Sequence, residues 1–114
     1  MTTDRMRRVN QAVSEVLSTR IAGGLKDPRI GFVTVTSVDT SPDLRQASVY
    51  VSVLGDDSAR KETLAGLSSA HGVLQQAIAH ELRMKRTPTL QFVFDESIDR
   101  GMRITELLGE EDDS

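Results

Sequence analysis

Residues 44–53 alternate almost without a break. Ala47, Val49, Val51 and Val53 fall on one side of an extended chain, and Ser48, Tyr50 and Ser52 on the other. Successive side chains of a strand point to opposite faces, so this period of two predicts a strand with one buried and one wet face. A lone strand cannot hide that apolar row. It needs partners beside it and a cover over one side.

Partners can be read nearby. Phe32–Val38 is rich in β-branched residues, and Val33 and Val35 are expected to join the buried face opposite Val49 and Val51. Asp39-Thr40-Ser41-Pro42-Asp43 between the two runs is hairpin-loop chemistry. Leu90, Phe92 and Phe94 alternate as a third buried strand face. The cover is helical. Met6, Val9, Val13, Val16, Leu17 and Ile21 recur at three- and four-residue spacings, with Thr3 or Asp4 as cap and Gly23-Gly24 as stop. Gly55-Asp56-Asp57-Ser58 breaks the second strand and caps another helix, with Leu64 and Leu67 inward. Ala70-His71-Gly72 interrupts that helix, and Leu74, Ile78 and Leu82 resume the stripe. Glycine in a helix costs up to ~1 kcal/mol relative to alanine, so a pattern that continues on both sides predicts a kink or corner. Ile98–Leu108 is expected to form a last short helix. The order predicts an α+β fold: a three-stranded mixed sheet with helices on one face, written α-β-β-α-kink-α-β-α.

At 114 residues the chain suits one compact core and is too short for two. The unit is expected to span residues 1–108, with 109–114 a disordered acidic tail. There is no cysteine, which excludes disulfides and thiolate chemistry and fits a reducing cytosol. No apolar run nears the ~18 residues a membrane span needs, and nothing resembles a targeting signal, so a cytoplasmic location is expected.

The formal net charge of −3 looks wrong for a nucleic-acid binder, yet its distribution is uneven. Before Gly31, Arg5, Arg7, Arg8, Arg20, Lys26 and Arg29 oppose Asp4, Glu15 and Asp27. A second basic group, Arg83, Lys85 and Arg86, faces only Glu81. From Gln91 onward, carboxylates dominate. A local basic face is compatible with an acidic total.

The element order, with its corner at Ala70-x-Gly72, resembles a type II KH domain. Four collinear segments are similar, more specifically, to the ribosome-binding factor A family: Arg8-Val9; Leu25-Lys26-Asp27-Pro28-Arg29-Ile30; Thr34–Asp39 with Ser41-Pro42-Asp43-Leu44; and Pro88–Ile98 followed by Gly101. The resemblance implies a KH-like fold with Ala-x-Gly where an ordinary KH domain carries Gly-x-x-Gly. It implies binding to 16S rRNA in the free or immature 30S subunit and support for late 30S maturation and rRNA processing, especially in the cold. It implies a monomer that needs no cofactor, metal or small-molecule ligand and is not an enzyme. On this reading the RNA-binding residues are Arg5, Arg7, Arg8, Arg20, Lys26, Arg29, Ala70, His71, Gly72, Arg83, Lys85 and Arg86. One departure stands out: relatives often carry Arg shortly after the Ala-x-Gly, and here the residue is Gln75.

Other chemistries fit less well. Tyr50 is the only aromatic expected on the open sheet face, and a stacking platform needs two or three. His71 and His80 are nine residues apart and do not share the i, i+4 spacing of paired metal ligands. Asp39, Asp43, Asp95 and Glu96 fall beside turns, where carboxylates bond to the local backbone. A KH-like protein-interaction adaptor, using its sheet edge or acidic tail without direct rRNA contact, is the alternative. A hydrolase built on Asp95 or His71 is a weaker one, for want of a coupled nucleophile and base.

Overall fold

The computed structural model describes residues 4–96. Six elements follow in order: α1 (Asp4–Ala22), β1 (Val33–Thr40), β2 (Gln46–Val53), α2 (Asp57–Ser69), α3 (His71–Leu82) and β3 (Thr89–Phe94). The sheet order is β1-β2-β3, with β1 and β2 antiparallel and β2 and β3 parallel. This is the α+β architecture and mixed three-stranded sheet of a type II KH fold. The expected last helix, the acidic tail and Thr3 lie outside the described residues.

One sheet face carries the core. Ala47, Val49, Val51, Val53, Leu90 and Phe92 are buried against Val13, Val16 and Leu17 of α1, Leu67 of α2, and Leu74, Ala77 and Ile78 of α3. Each large side chain removed from water contributes ~1.5–3 kcal/mol. The pattern in β2 therefore sets which way the sheet faces.

The register of β1 corrects the sequence reading. Val35 does sit opposite Val51, but Val33 pairs with Val53, and the partner of Val49 is Val38. A bulge at Thr36, between Val35 and Ser37, inserts one residue and reverses the alternation beyond it. Val38 and Thr40 are thereby turned into the core. The Thr36 hydroxyl lies 2.6 Å from an Asp95 carboxylate oxygen and 3.2 Å from the Tyr50 carbonyl, so the bulge is tied across β2 to the end of β3. Phe32, expected to begin the strand, precedes it and is exposed.

The helix boundaries follow from caps. Asp56 accepts the Ala59 N–H at 2.8 Å and opens α2. Ala70, at φ −86° and ψ 2°, ends α2, and α3 starts at the next residue. The expected corner is therefore made by Ala70, with Gly72 already inside α3. Arg83 closes α3 in the left-handed region at φ 51°. Among the described residues no helix is long and apolar enough to cross a membrane, and no group of three His, Asp or Glu side chains could hold a metal ion.

Candidate nucleic-acid interface

The turn between α1 and β1 is seated on α2. A proline at 28 forces Asp27 out of helical geometry, and Ile30 N–H closes the turn on the Asp27 carbonyl at 3.1 Å. Three residues of α2, spaced at helical intervals, hold it. Thr63, fully buried, accepts Gly31 N–H at 3.3 Å and donates to the Arg29 carbonyl at 3.4 Å. Gly66 lets Ile30 approach: a Cβ there would stand 2.6 Å from Ile30 Cγ1 and 3.4 Å from Asp27 Cγ. Ser69 accepts from the Arg29 guanidinium at 3.0 Å. Arg29 is thus fixed beside the Ala70 corner, although forty residues separate it from Ser69 in the chain, and Lys26 lines the same side.

Arg29 is not a free cation. Its guanidinium grips Asp27 through both carboxylate oxygens, at 3.0 and 2.7 Å, and its backbone N–H adds a third bond at 2.9 Å. These donors, the side-chain bond foremost, lower the Asp27 pKa from 3.8 to about 2 and raise that of Arg29. Nη2 of Arg29 serves both Asp27 and Ser69, so the guanidinium is pinned between the turn and the end of α2.

At the corner, Nδ1 of His71 lies 2.6 Å from the Ser68 carbonyl, so that nitrogen carries the proton and Nε2 is left to solvent. A Cβ on Gly72 would meet nothing within 4 Å. The glycine answers no packing need inside the molecule, in contrast to Gly66. A shallow groove lined by Gly24, Leu25, Lys26, Asp27, Ser69, Ala70 and Val73 lies alongside.

The remaining predicted cations lie elsewhere. Arg5, Arg7 and Arg8 are exposed on the first turns of α1, and only Arg7 has an ion pair among the described residues, with Asp4 at 3.3 Å. Asn10 accepts Thr40 N–H at 2.9 Å, which places this half of α1 at the end of the sheet where β1 finishes and β3 begins. Arg83, Lys85 and Arg86, all exposed, lead from α3 to that same end. Arg20 is bound to Glu81 at 2.7 Å and bridges α1 to α3. The sequence reading gathered α1 and the turn into one basic face. The structure divides them: Arg8 and Ala22 are separated by fourteen helical residues, ~21 Å along the axis.

Gln75, the departure from the family pattern, has a local role. Its side-chain oxygen accepts Leu90 N–H at 3.3 Å on the open edge of β3. Thr63 and Gln75 were invisible as site-forming residues because their partners, Gly31 and Leu90, are distant in sequence. Asp43 behaves as the turn chemistry predicts, accepting from Ser41 Oγ and Arg45 N–H, which lowers its pKa.

A type II KH order, a helix corner at Ala70 and a cation-bearing turn locked against it define a KH-like protein. The chain belongs to the ribosome-binding factor A family, whose model matches residues 5–108. It is 54% identical over 112 residues to ribosome-binding factor A of Anaeromyxobacter dehalogenans, covering 96% of this chain and 81% of the relative. The crystal structure of ribosome-binding factor A from Thermus thermophilus superposes with a TM-score of 0.68 at 32% identity, over 77% of this chain and 93% of that one. A Thermus thermophilus ribosome-binding factor A homology model, fitted into the cryo-EM map of a 30S complex, matches with a TM-score of 0.64 at 32% identity, over 76% of this chain and 91% of that one.

Proposed function

We propose that this chain binds the free or immature 30S subunit through 16S rRNA phosphates and supports late maturation and rRNA processing, especially in the cold. The observation that carries the reading is kinship with the Thermus protein whose model was fitted into a 30S complex. The geometry supports it. Lys26 stands beside a helix start whose Gly72 leaves room for a close backbone approach. Arg5, Arg8, Arg83, Lys85 and Arg86 supply a second cationic group for phosphate contact. Arg7, Arg20 and Arg29 contribute less, since phosphate must compete with Asp4, Glu81 and Asp27 for them.

The protein acts without catalysis, cofactor or metal, as a cytoplasmic monomer. A single KH-like unit carries the binding. Binding favours one rRNA arrangement over its alternatives, which requires tighter affinity for that arrangement. Sucrose-gradient sedimentation of the tagged protein tests this. It is expected with free small subunits and not with polysomes, and co-sedimentation with polysomes alone would contradict the reading.

A further inference from the structure

Two large apolar side chains stand in water at the end of the sheet opposite the α1 cations: Phe32 is 80% exposed and Leu54 76%. They are neighbours, because Leu54 N–H donates to the Phe32 carbonyl at 3.0 Å, one step beyond the Val33–Val53 pair. Neither is a loose loop residue. Gly31, just before Phe32, is bonded to the buried Thr63. Gly55, just after Leu54, sits at φ 132°, where its hydrogen faces Ala59 so closely that a Cβ would stand 2.8 Å from the Ala59 Cβ. The backbone therefore holds both side chains outward. The third exposed apolar residue, Val73, lines the groove at the Ala70 corner and belongs to the interface already described.

The surroundings of this pair are acidic. Asp56 and Asp57 follow Leu54 at the start of α2 and are exposed. Asp95 N–H donates to the Val51 carbonyl, which brings Asp95 and Glu96 to the same sheet end. Neighbouring strands are ~4.8 Å apart, so the β1 and β3 corners of this end lie within ~10 Å of each other. Arg60 and Lys61 are the cations on the first turns of α2, and Arg60 lies among Val51–Val53, Phe94 and Asp95. Arg29, three residues before Phe32, is already paired with Asp27. Phosphate brought to Phe32 would meet those carboxylates within about one Debye length, ~8 Å at physiological salt.

We propose that Phe32 and Leu54 form a docking site for a basic protein segment: a lysine- and arginine-rich stretch carrying one or two large apolar residues. Phe32 and Leu54 supply the anchor, and Asp56 and Asp57, exposed beside Leu54, the rim that selects positive charge. The contact is small and suits a transient partner. It is independent of the phosphate-binding cations, so the molecule presents rRNA-facing and protein-facing surfaces at once.

The test uses the full chain, isotope-labelled, titrated with a twelve-residue peptide in which lysine alternates with leucine and phenylalanine. Amide shifts are expected to cluster at 31–33 and 53–57. Phe32→Ser with Leu54→Ser should weaken binding at least tenfold, and Asp57→Asn about twofold. All three residues are at the surface, and an unchanged unfolding midpoint certifies the fold. Shifts elsewhere, undiminished binding by the serine variant, or the same amides moving with oligouridine would overturn the proposal. Reversing the charge of Arg5, Arg8 and Lys26 should leave the peptide titration intact, so failure of the rRNA reading and failure of this one give different results.

Discussion

At the residue scale, two glycines on neighbouring helices do opposite things. Gly66 is required by contact: alanine there must push Ile30 away, and overpacking of this kind costs ~1–3 kcal/mol. Gly66→Ala should lower the urea midpoint and detach Arg29 from Ser69. Gly72 faces open space at ordinary helical φ, so Gly72→Ala should raise stability by up to ~1 kcal/mol. If rRNA backbone passes close to this corner, the same methyl should weaken subunit binding several-fold. A variant that is more stable and binds equally well would remove Gly72 from the interface. Asp27 offers a pH readout. A carboxylate whose folded pKa is depressed stabilises the native turn fully above its ordinary value of 3.8 and loses that contribution as pH falls through about 2. Carbon-detected titration should place the Asp27 midpoint near 2, and Arg29→Ala should return it toward 3.8.

At the element scale, the residues that close the fold are polar ones acting between elements. Leu90 N–H points away from β2 toward the open edge of β3, and Gln75 of α3 is its acceptor. Removing that oxygen leaves a partly buried donor unpaired, at a cost of ~1–3 kcal/mol. Gln75→Ala should therefore destabilise the protein by about 1 kcal/mol and speed hydrogen exchange at Leu90 more than at Ala47, its partner on the inner strand. A mutant with unchanged exchange would show that the bond carries nothing. The elements themselves were legible in the sequence because burial of one face imposes a period. Val13–Leu17, Val49–Val51 and Leu90–Phe92 all lie where periodicity put them. What could not be read was any feature that breaks the period. The bulge at Thr36 leaves no compositional mark, since valine, threonine and serine suit either phase of the strand, and it displaced the partner of Val49 by one residue, from Ser37 to Val38. Phe32 looked like the first member of an apolar run, and only the rigid turn behind it shows that it faces water. Asp27 was legible as a carboxylate opposing the basic residues before Gly31, but its bidentate hold on Arg29 depends on the turn geometry that Pro28 imposes.

At the scale of the whole molecule, the question is how a chain of net charge −3 could hold a polyanion. Distance answers it. Asp56 and Ser69 are separated by thirteen residues at the ends of α2, ~20 Å apart, and Arg8 stands ~21 Å along α1 from its end. Both separations exceed twice the screening length at physiological salt, ~8 Å, so the acidic start of α2 is screened from the corner at its far end, and the two cationic groups are screened from each other. By the same reasoning the two groups act independently, and phosphate contacts made by each should add. Every phosphate neutralised contributes ~0.7–0.9 to the slope of log affinity against log salt. Arg5, Arg8 and Lys26 have no carboxylate partner among the described residues, so their charge is available without breaking an ion pair. Replacing all three with glutamate should flatten the salt slope of subunit binding by roughly 2 to 3, by the same relation. Reversing Arg20, which is held by Glu81, should change that slope little while loosening the packing of α1 on α3. Filter binding of purified small subunits across a salt series measures both. A slope unaltered by the triple variant would mean that these side chains touch no phosphate, whatever the charge of the surface around them.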